Sequence, residues 1–527
     1  MPEYEAVIGL ETHIQLNTQS KIFCACKADS WDDPPNTNIC PVCTGLPGVL
    51  PVLNKAAVEK AVLLAAAMHA EVQPLSFFDR KNYFYPDLPK GYQISQYDRS
   101  LARGGYMDVP MPGGHIRRVR IHKLHLEEDA GKTKNDPAPV LSGARPRSEG
   151  RTLSGARPRS EGRTLSGARP RSEGRTLSGA AAQSKGRRLI DFNRCGVPLI
   201  EMVTGPDIRT PDEAAQYLIR LRQLLRWLGV SEADMEKGHL RADANVSIRP
   251  VGSTQLNTKT EIKNVNSIEA VRAAIAKEIE RQIREVEAGN AIQPWTLDWD
   301  DDTQTLRKMR SKETEADYRY FREPDLLPLE IDQAWRQQIL SALPELPLER
   351  RARFMSDYGL PEYDAEILTS ERSLSDFFEA AVQAYAGDPK KVSNWMMNDV
   401  LRMLNDRGLT AASLRLTPQH LAEAIQLVDE KVINTSTGKA LIPKVQDSGK
   451  SPRQIVEEEG LAKVSDEDAI RGIVQAVIDA NPNEVATYRG GKTSIIGWFV
   501  GQVMRQSRGK ADPQTARKLL QKMLEGD

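Results

Sequence analysis

Long apolar runs are missing from this sequence. The longest, Ala61 to Met68, falls far short of the ~20 residues a helix needs to cross a bilayer, so it reads as core helix and nothing suggests a membrane protein. Net charge is missing as well. The 72 Lys and Arg balance 72 Asp and Glu, so any grip on nucleic acid has to be local instead of coming from bulk charge. Cysteine is scarce, with five in the chain, and four of them crowd into residues 24 to 43. The first residues, Met1 to Glu11, carry neither the cationic region and apolar stretch of a secretory signal nor an Arg-rich transit pattern. A cytoplasmic location with reduced thiols is therefore expected, and there clustered cysteines favour a metal over disulfides. A phosphate-binding glycine loop is absent too: GGKT at 490–493 has Ala486 where the first glycine belongs, and no apolar strand leads into it.

A chain of 527 residues is too long for one core and implies about three domains. A dodecamer, LSGARPRSEGRT, occurs three times in tandem from Leu141 to Thr176, each copy with three Arg against one Glu. The copies sum to +6, leaving the remainder at −6. Without apolar periodicity the tract cannot offset its ordering entropy, so residues 136–188 are expected to be a disordered insertion, a tolerated expansion or a basic arm for RNA phosphates.

Around it, strands and helices interleave. Leu10, Ile14 and Leu16 alternate with Glu11, His13 and Gln15, and Leu240, Ala242, Ala244, Val246 and Ile248 alternate with Arg241, Asp243, Asn245 and Ser247. Both patterns predict strands with one buried and one polar face. Thr210, Pro211 and Glu213 predict a capped helix carrying Leu218, Leu221 and Leu225, closed by Gly229; Ser267 to Gly289 predicts another. The fold class expected is α+β over residues 1–295, then helical parts at 296–412 and 413–527, the last helix starting at Asp512 and Pro513.

Cys24, Cys26, Cys40 and Cys43 form C-x-C and C-x-x-C pairs, which suit a closed tetrahedral zinc site. Cys195 stands alone and reads as a small buried residue. Glu11 with His13, the Glu127–Glu128–Asp129 run, Asp243 with Asn245, and Glu261 with Lys263 each resemble an ordinary solvated strand face when taken singly. Together they predict an acidic bed on a sheet, able to hold Mg²⁺ beneath nucleotide phosphates.

Longer motifs carry a resemblance. VIGLETHIQL at 7–16, KNYFYPDLPKGYQISQ at 81–96, HLEEDAGK at 125–132, DFNRCGVP at 191–198, DANVS at 243–247, KTEIKNVNS at 259–267, and MRSKE with DYRYF between 309 and 321 resemble, in order, the B subunits of aspartyl/glutamyl-tRNA amidotransferases. The dodecamer tract and Cys195 depart from that pattern. The resemblance implies a cradle domain akin to glutamine synthetase, then a helical domain, then a YqeY-like tail in which Arg489 and Lys492 would contact tRNA. It also implies ATP and Mg²⁺, phosphorylation of the side-chain carboxylate of Glu-tRNA(Gln) or Asp-tRNA(Asn), and amidation by ammonia. No amidase nucleophile is legible here, so an amidase A subunit is expected to supply the ammonia in a heterotrimer with a small C subunit. The Mg²⁺ ligands expected are Glu11, His13 and Glu128, with Glu127 and Asp243 beside them. Lys81, Lys90 and Arg310 are expected to stabilise phosphate charge, and Tyr83, Tyr92, Gln93, Ser95, Asn245, Glu261 and Lys263 to bind substrate. The rival expectations are a free-standing amide ligase and a non-enzymatic zinc-bearing tRNA scaffold.

Overall fold

The computed structural model describes residues 3–135, 188–311, 315–462, 467–507 and 511–525. The dodecamer tract lies outside the described residues.

The spine of the sheet consists of β1 (Tyr4–Gln15), β2 (Asp79–Asn82), β3 (Tyr92–Ser95), β4 (Ile116–Glu128), β5 (Pro198–Thr204), β6 (Leu240–Pro250), β7 (Thr260–Lys263), β8 (Trp295–Asp300), β9 (Thr305–Ser311) and β10 (Phe321–Arg322). They lie in the order β9-β8-β7-β6-β1-β5-β4-β3-β2-β10, and three short strands branch from this path to complete a 13-stranded sheet. β7 and β8 pair in parallel, while β1 runs antiparallel to both β5 and β6. The first strand in sequence is therefore central in space, flanked by strands nearly 200 and more than 230 residues later.

Period-two alternation decides which face is which. Ile8, Leu10 and Ile14 of β1, Leu124 and Leu126 of β4, and Ala242, Ala244 and Val246 of β6 join one buried cluster. Helices α1 (Lys55–Ala67), α2 (Pro211–Trp227) and α3 (Ile268–Glu287) contribute Val58, Leu64, Leu218, Leu221, Val271 and Ile275 to the same cluster. Three helices thus cover the apolar face. The opposite face collects the polar residues.

The helix starts follow from the sequence, with one difference. Thr210 Oγ1 accepts from Glu213 N at 3.1 Å and Pro211 opens α2, but the Glu213 carboxylate does not return to the cap. It accepts from Arg209 N at 2.7 Å and from Arg117 at 2.8 and 2.9 Å, because a guanidinium on β4 is a better partner for a buried carboxylate than one amide. Ser267 caps α3 by accepting from Ala270 N. Gly229 and Gly289, just past the two helix ends, have φ of 64° and 80°, the left-handed backbone that favours glycine.

Past the sheet, from Gln333 onward, all longer elements are helices. They build two further cores, one from Phe354 to Val456 and one from Ile470 to Leu524. The joint expected at 412/413 falls inside the first of these: the Pro418 that suggested it is the N1 residue of a helix packed within that core. The GGKT segment follows the helix Pro482–Arg489, and its Thr493 opens the short helical stretch Thr493–Ile495.

Candidate active site and metal centre

The polar face brings distant carboxylates together through strand register. His13 on β1 sits opposite Glu201 on β5, and Glu201 sits opposite His125 on β4. On the other side of β1, Glu11 sits opposite Asp243 of β6. His13 Nε2 lies 4.0 Å from Glu11 Oε1, 3.9 Å from Glu127 Oε1 and 3.8 Å from Glu201 Oε2. His125 Nε2 lies 3.5 Å from Glu201 and 3.7 Å from Glu127.

These separations are too long for strong hydrogen bonds, and they gather three carboxylates around the single imidazole of His13. The carboxyl of Glu11 is pushed up by burial and by the charge of Glu201. Burial opposes a charge on His125, but Glu201 and Glu127 outweigh it and hold the imidazole up to about 9. Despite its burial, Glu201 is held well below the usual carboxylate range by His125, His13 and Lys81. Lys81 is half-buried, and against that desolvation Glu127 with Glu201 keeps its ammonium up at about 12. Its Nζ lies 4.9 Å from the ring centre of Tyr318. Tyr320, stacked on Tyr97 at 3.8 Å, feels the same two carboxylates.

Two sets of potential ligand atoms share His13, each set lying within 4.8 Å: Glu11, His13 and Asp243, and His13, Glu127 and Glu201. Glu127 Oε2 and His125 Nδ1 are buried without a hydrogen-bond partner. An orphaned, nearly solvent-free carboxylate oxygen in an acid cluster is a donor waiting for a cation, and carboxylate-rich sets suit Mg²⁺.

The expected residues divide between the two faces. Glu11, His13, Glu127, Asp243 and Lys81 meet on the polar face. Lys263 is there too, its Nζ donating to Asp243 Oδ2 at 2.6 Å and lying 3.6 Å from Glu261; Glu261 also accepts from Thr296. Asn245 is opposite Glu261 in register. Tyr83 OH donates to Gln93 Oε1, and the Gln93 amide donates to the carbonyl of Glu128. Ser95 is buried opposite Glu127.

Glu128 itself departs from the expectation. One residue on from Glu127, it points to the apolar side, where it pairs with Lys90 and accepts from Ile94 N at 2.9 Å. Lys90 is thereby committed to Glu128, and Tyr92 lies on the same side under the guanidinium of Arg80 at 4.3 Å. These three line a separate cavity of about 190 Å³ with Cys24, Cys43 and Leu46. Arg310 is paired with Thr296 in register, but its side chain lies outside the described residues. In the tail, Arg489 Nε donates to the Leu524 carbonyl at 3.0 Å and Lys492 is exposed.

Glu201, His125 and Tyr320 were not expected at the site. The available signal for Glu201 was a single carboxylate inside Pro198–Thr204, a strand otherwise apolar up to its final Thr. A charge there has to be paired or bind a metal.

Cys24, Cys26, Cys40 and Cys43 converge, with sulfurs within 4.8 Å of one another. Cys40 and Cys43 sulfurs lie 3.9 Å apart, close to the ~3.8 Å edge of a tetrahedron with 2.3 Å zinc–sulfur bonds. The fully buried Lys21 places its ammonium 3.6 Å from Cys43 Sγ, favouring thiolate. Cys195 is buried, and its thiol is pushed up to about 12 by burial and by Glu128, as suits an inert core position.

Among the described residues no helix is long and apolar enough to cross a membrane. Residues 6–145 and 172–337 match the family model described as the GatB/GatE catalytic domain, and residues 376–524 match the GatB domain. The gap between the first two segments falls inside the dodecamer tract. Curated proteins named as the B subunits of aspartyl/glutamyl-tRNA(Asn/Gln) amidotransferases are similar from end to end. The one from Thermodesulfovibrio yellowstonii is 46% identical over 522 residues, covering 99% of both chains. That from Thermotoga maritima is 44% identical over 524 residues, 99% of this chain and all of the relative; that from Crocosphaera subtropica is 44% identical over 533, covering 99% and 98%. With both domains matched in order and identity sustained along the whole length, the chain belongs to the GatB family, that of the B subunits of aspartyl/glutamyl-tRNA(Asn/Gln) amidotransferases.

Proposed function

We propose that this chain uses ATP to phosphorylate the side-chain carboxylate of glutamate on tRNA(Gln), or aspartate on tRNA(Asn), and then directs ammonia onto the activated acyl group. The observation that carries this reading is the cluster of half-buried Glu11 and His13 with buried Glu127 and Glu201 on three adjacent strands, and Lys81 at its edge. A carboxylate has no leaving group. Forming a bond from its oxygen to the γ-phosphorus of ATP, with release of ADP, supplies one; the ammonia nitrogen then attacks the acyl carbon and inorganic phosphate departs.

Glu11, His13, Glu127 and Glu201 would hold Mg²⁺, with Asp243 beside them, and the bound ions would screen the phosphate charge. Lys81 is the side chain placed to bring a fixed positive charge next to the transferring group, and Arg310 is proposed for the same role. Tyr318, under the Lys81 ammonium, and Tyr320 flank that side of the cluster. Tyr83, Gln93, Ser95, Asn245, Glu261 and Lys263 would contact the substrate. Lys90 and Tyr92 are left out of these roles because Glu128 and Arg80 hold them on the other face.

The sheet body is the glutamine-synthetase-like cradle in this reading, the four cysteines hold structural zinc, and the YqeY-like tail contacts tRNA. Ammonia comes from an amidase A subunit, in a heterotrimer with a small C subunit. Leu46, beside the zinc segment, and Phe84 are 54% and 80% exposed, the kind of apolar surface such a partner covers.

The test is amide formation by the purified chain with its amidase partner, mischarged tRNA, ATP and Mg²⁺, with ammonium chloride replacing glutamine in a parallel arm. ADP release is expected only with mischarged tRNA. Release with free glutamate would instead favour a free-standing ligase, and absence of ADP would favour a scaffold.

A further inference from the structure

A second cleft opens where β1 ends. It holds about 450 Å³, within the ~300–1,000 Å³ of small-molecule sites. Trp31 stands in its wall and keeps 45% of its surface exposed, whereas Trp227, Trp299 and Trp395 keep 2–5%. Burying an indole is favourable, so one left open in a cleft offers a flat π surface to something else. Lys132 and Lys237 hold their ammonium groups over this ring, 4.2 and 5.9 Å from its centre, so a base reaches the covered face as Lys132 swings from the indole to a phosphate. The other wall carries the Glu232 carboxylate, which accepts from Asn17 Nδ2 at 3.0 Å.

A stacking platform, adjacent cations and a hydroxyl-accepting carboxylate are what a nucleoside carrying a phosphate requires: the base stacks, the phosphate takes the ammonium groups and ribose hydroxyls donate to the carboxylate. The cleft also adjoins the acid cluster. Gln15 lines it, donates to Asp129 Oδ2 at 2.6 Å, and follows His13 on the same face of β1 one two-residue step, ~7 Å, along the strand.

We propose that this cleft is a nucleoside-binding subsite of the acid cluster, with Trp31 as the stacking platform and Lys132 and Lys237 as the phosphate contacts. The inference rests on the amidation reading, which brings two such nucleosides to the cluster: that of ATP, and the terminal nucleoside of the RNA that carries the amino acid. Both present the same chemistry to Trp31, and binding measurements separate them.

Equilibrium binding of a non-hydrolysable ATP analogue, and separately of uncharged tRNA, is measured on the full chain for wild type, Trp31→Ala, Trp31→Phe and Lys237→Ala. Trp31→Ala is expected to weaken one of the two ligands about five- to hundred-fold, the range of one stacked base at ~1–3 kcal/mol. Trp31→Phe should recover most of the loss, and Lys237→Ala should give a smaller loss that shrinks as salt rises. A shift confined to the analogue assigns the cleft to ATP; one confined to tRNA assigns it to the acceptor end. Should Trp31→Ala not fold, Lys237→Ala and Trp31→Phe carry the comparison. Wild-type affinity for both ligands in all folded variants overturns the proposal. Because binding is read without turnover, a wild type that binds normally yet makes no amide would refute the amidation reading and leave the subsite standing.

Discussion

At the scale of single residues, the two neighbours Glu127 and Glu128 do different work because a strand turns successive side chains to opposite faces. Glu127 faces His13 and Glu201; Glu128 faces Lys90. Glu127→Ala and Glu201→Ala are each expected to lower amide formation with ammonium about 100-fold or more, on the scale of losing one metal or transition-state contact, and to weaken Mg²⁺ binding read by calorimetry. Glu128→Gln should leave Mg²⁺ binding near wild type, because that side chain is not in the cluster. Equal loss of Mg²⁺ binding in all three would refute the division by faces. The parity that separates the two glutamates was present in the sequence, where Leu124 and Leu126 mark the buried side and leave His125 and Glu127 on the other. Read without that parity, the acidic run points to its middle residue, Glu128. Glu201 was harder to read, because nothing local distinguishes a ligand from an isolated charge in an apolar strand, and only the pairing of β5 with β1 brings it to His13.

At the scale of elements, short-range patterns were legible and long-range pairings were not. The alternation in β1 and β6, the Thr210 and Ser267 caps, and the grouping of four cysteines all depend on residues close in sequence, so spacing alone conveys them. The order of ten strands depends on which distant surfaces bury one another, which spacing does not encode. If the cysteine segment is pinned by zinc, chelation or Cys43→Ser should release about one zinc per chain by atomic absorption and lower the melting temperature, because ligand binding to the folded state is folding free energy; unchanged melting after full zinc loss would remove the structural assignment.

In the helical region Arg353 bridges two acids, donating to Glu345 at 2.8 Å and to Glu379 at 2.6 Å. Its hydrogen bonds hold both carboxyls below the usual range. Depressed folded values mean that this stabilisation is present above the ordinary glutamate value of ~4.3 and is lost as pH falls through the folded values. Arg353→Ala should therefore cost up to ~1 kcal/mol near neutral pH, given partial exposure, and the difference from wild type should vanish in strong acid. Urea melts at pH 7 and pH 3 check it.

At the scale of the whole molecule, the chain has no net charge to spend on RNA, yet the reading requires it to hold a polyanion. The third core, from Ile470 to Leu524, is its own cluster, and its last helix, Pro513–Glu525, exposes Arg517, Lys518 and Lys522 opposite the buried Ala516, Leu519 and Leu520. Lys492 adds an exposed cation, whereas Arg489 is partly engaged with the Leu524 carbonyl. Affinity for RNA should then reside in a local surface, each phosphate contact adding ~0.7–0.9 to the slope of log affinity against log salt. Reversing Lys518 and Lys522 to Glu should weaken tRNA binding several-fold and reduce that slope by about 2, without changing Mg²⁺ binding at the acid cluster. The helix would stay folded, since both side chains are exposed and its apolar stripe is untouched. A variant that binds tRNA with the wild-type affinity and slope would place the RNA contact elsewhere and leave the tail a structural appendage of the sheet body.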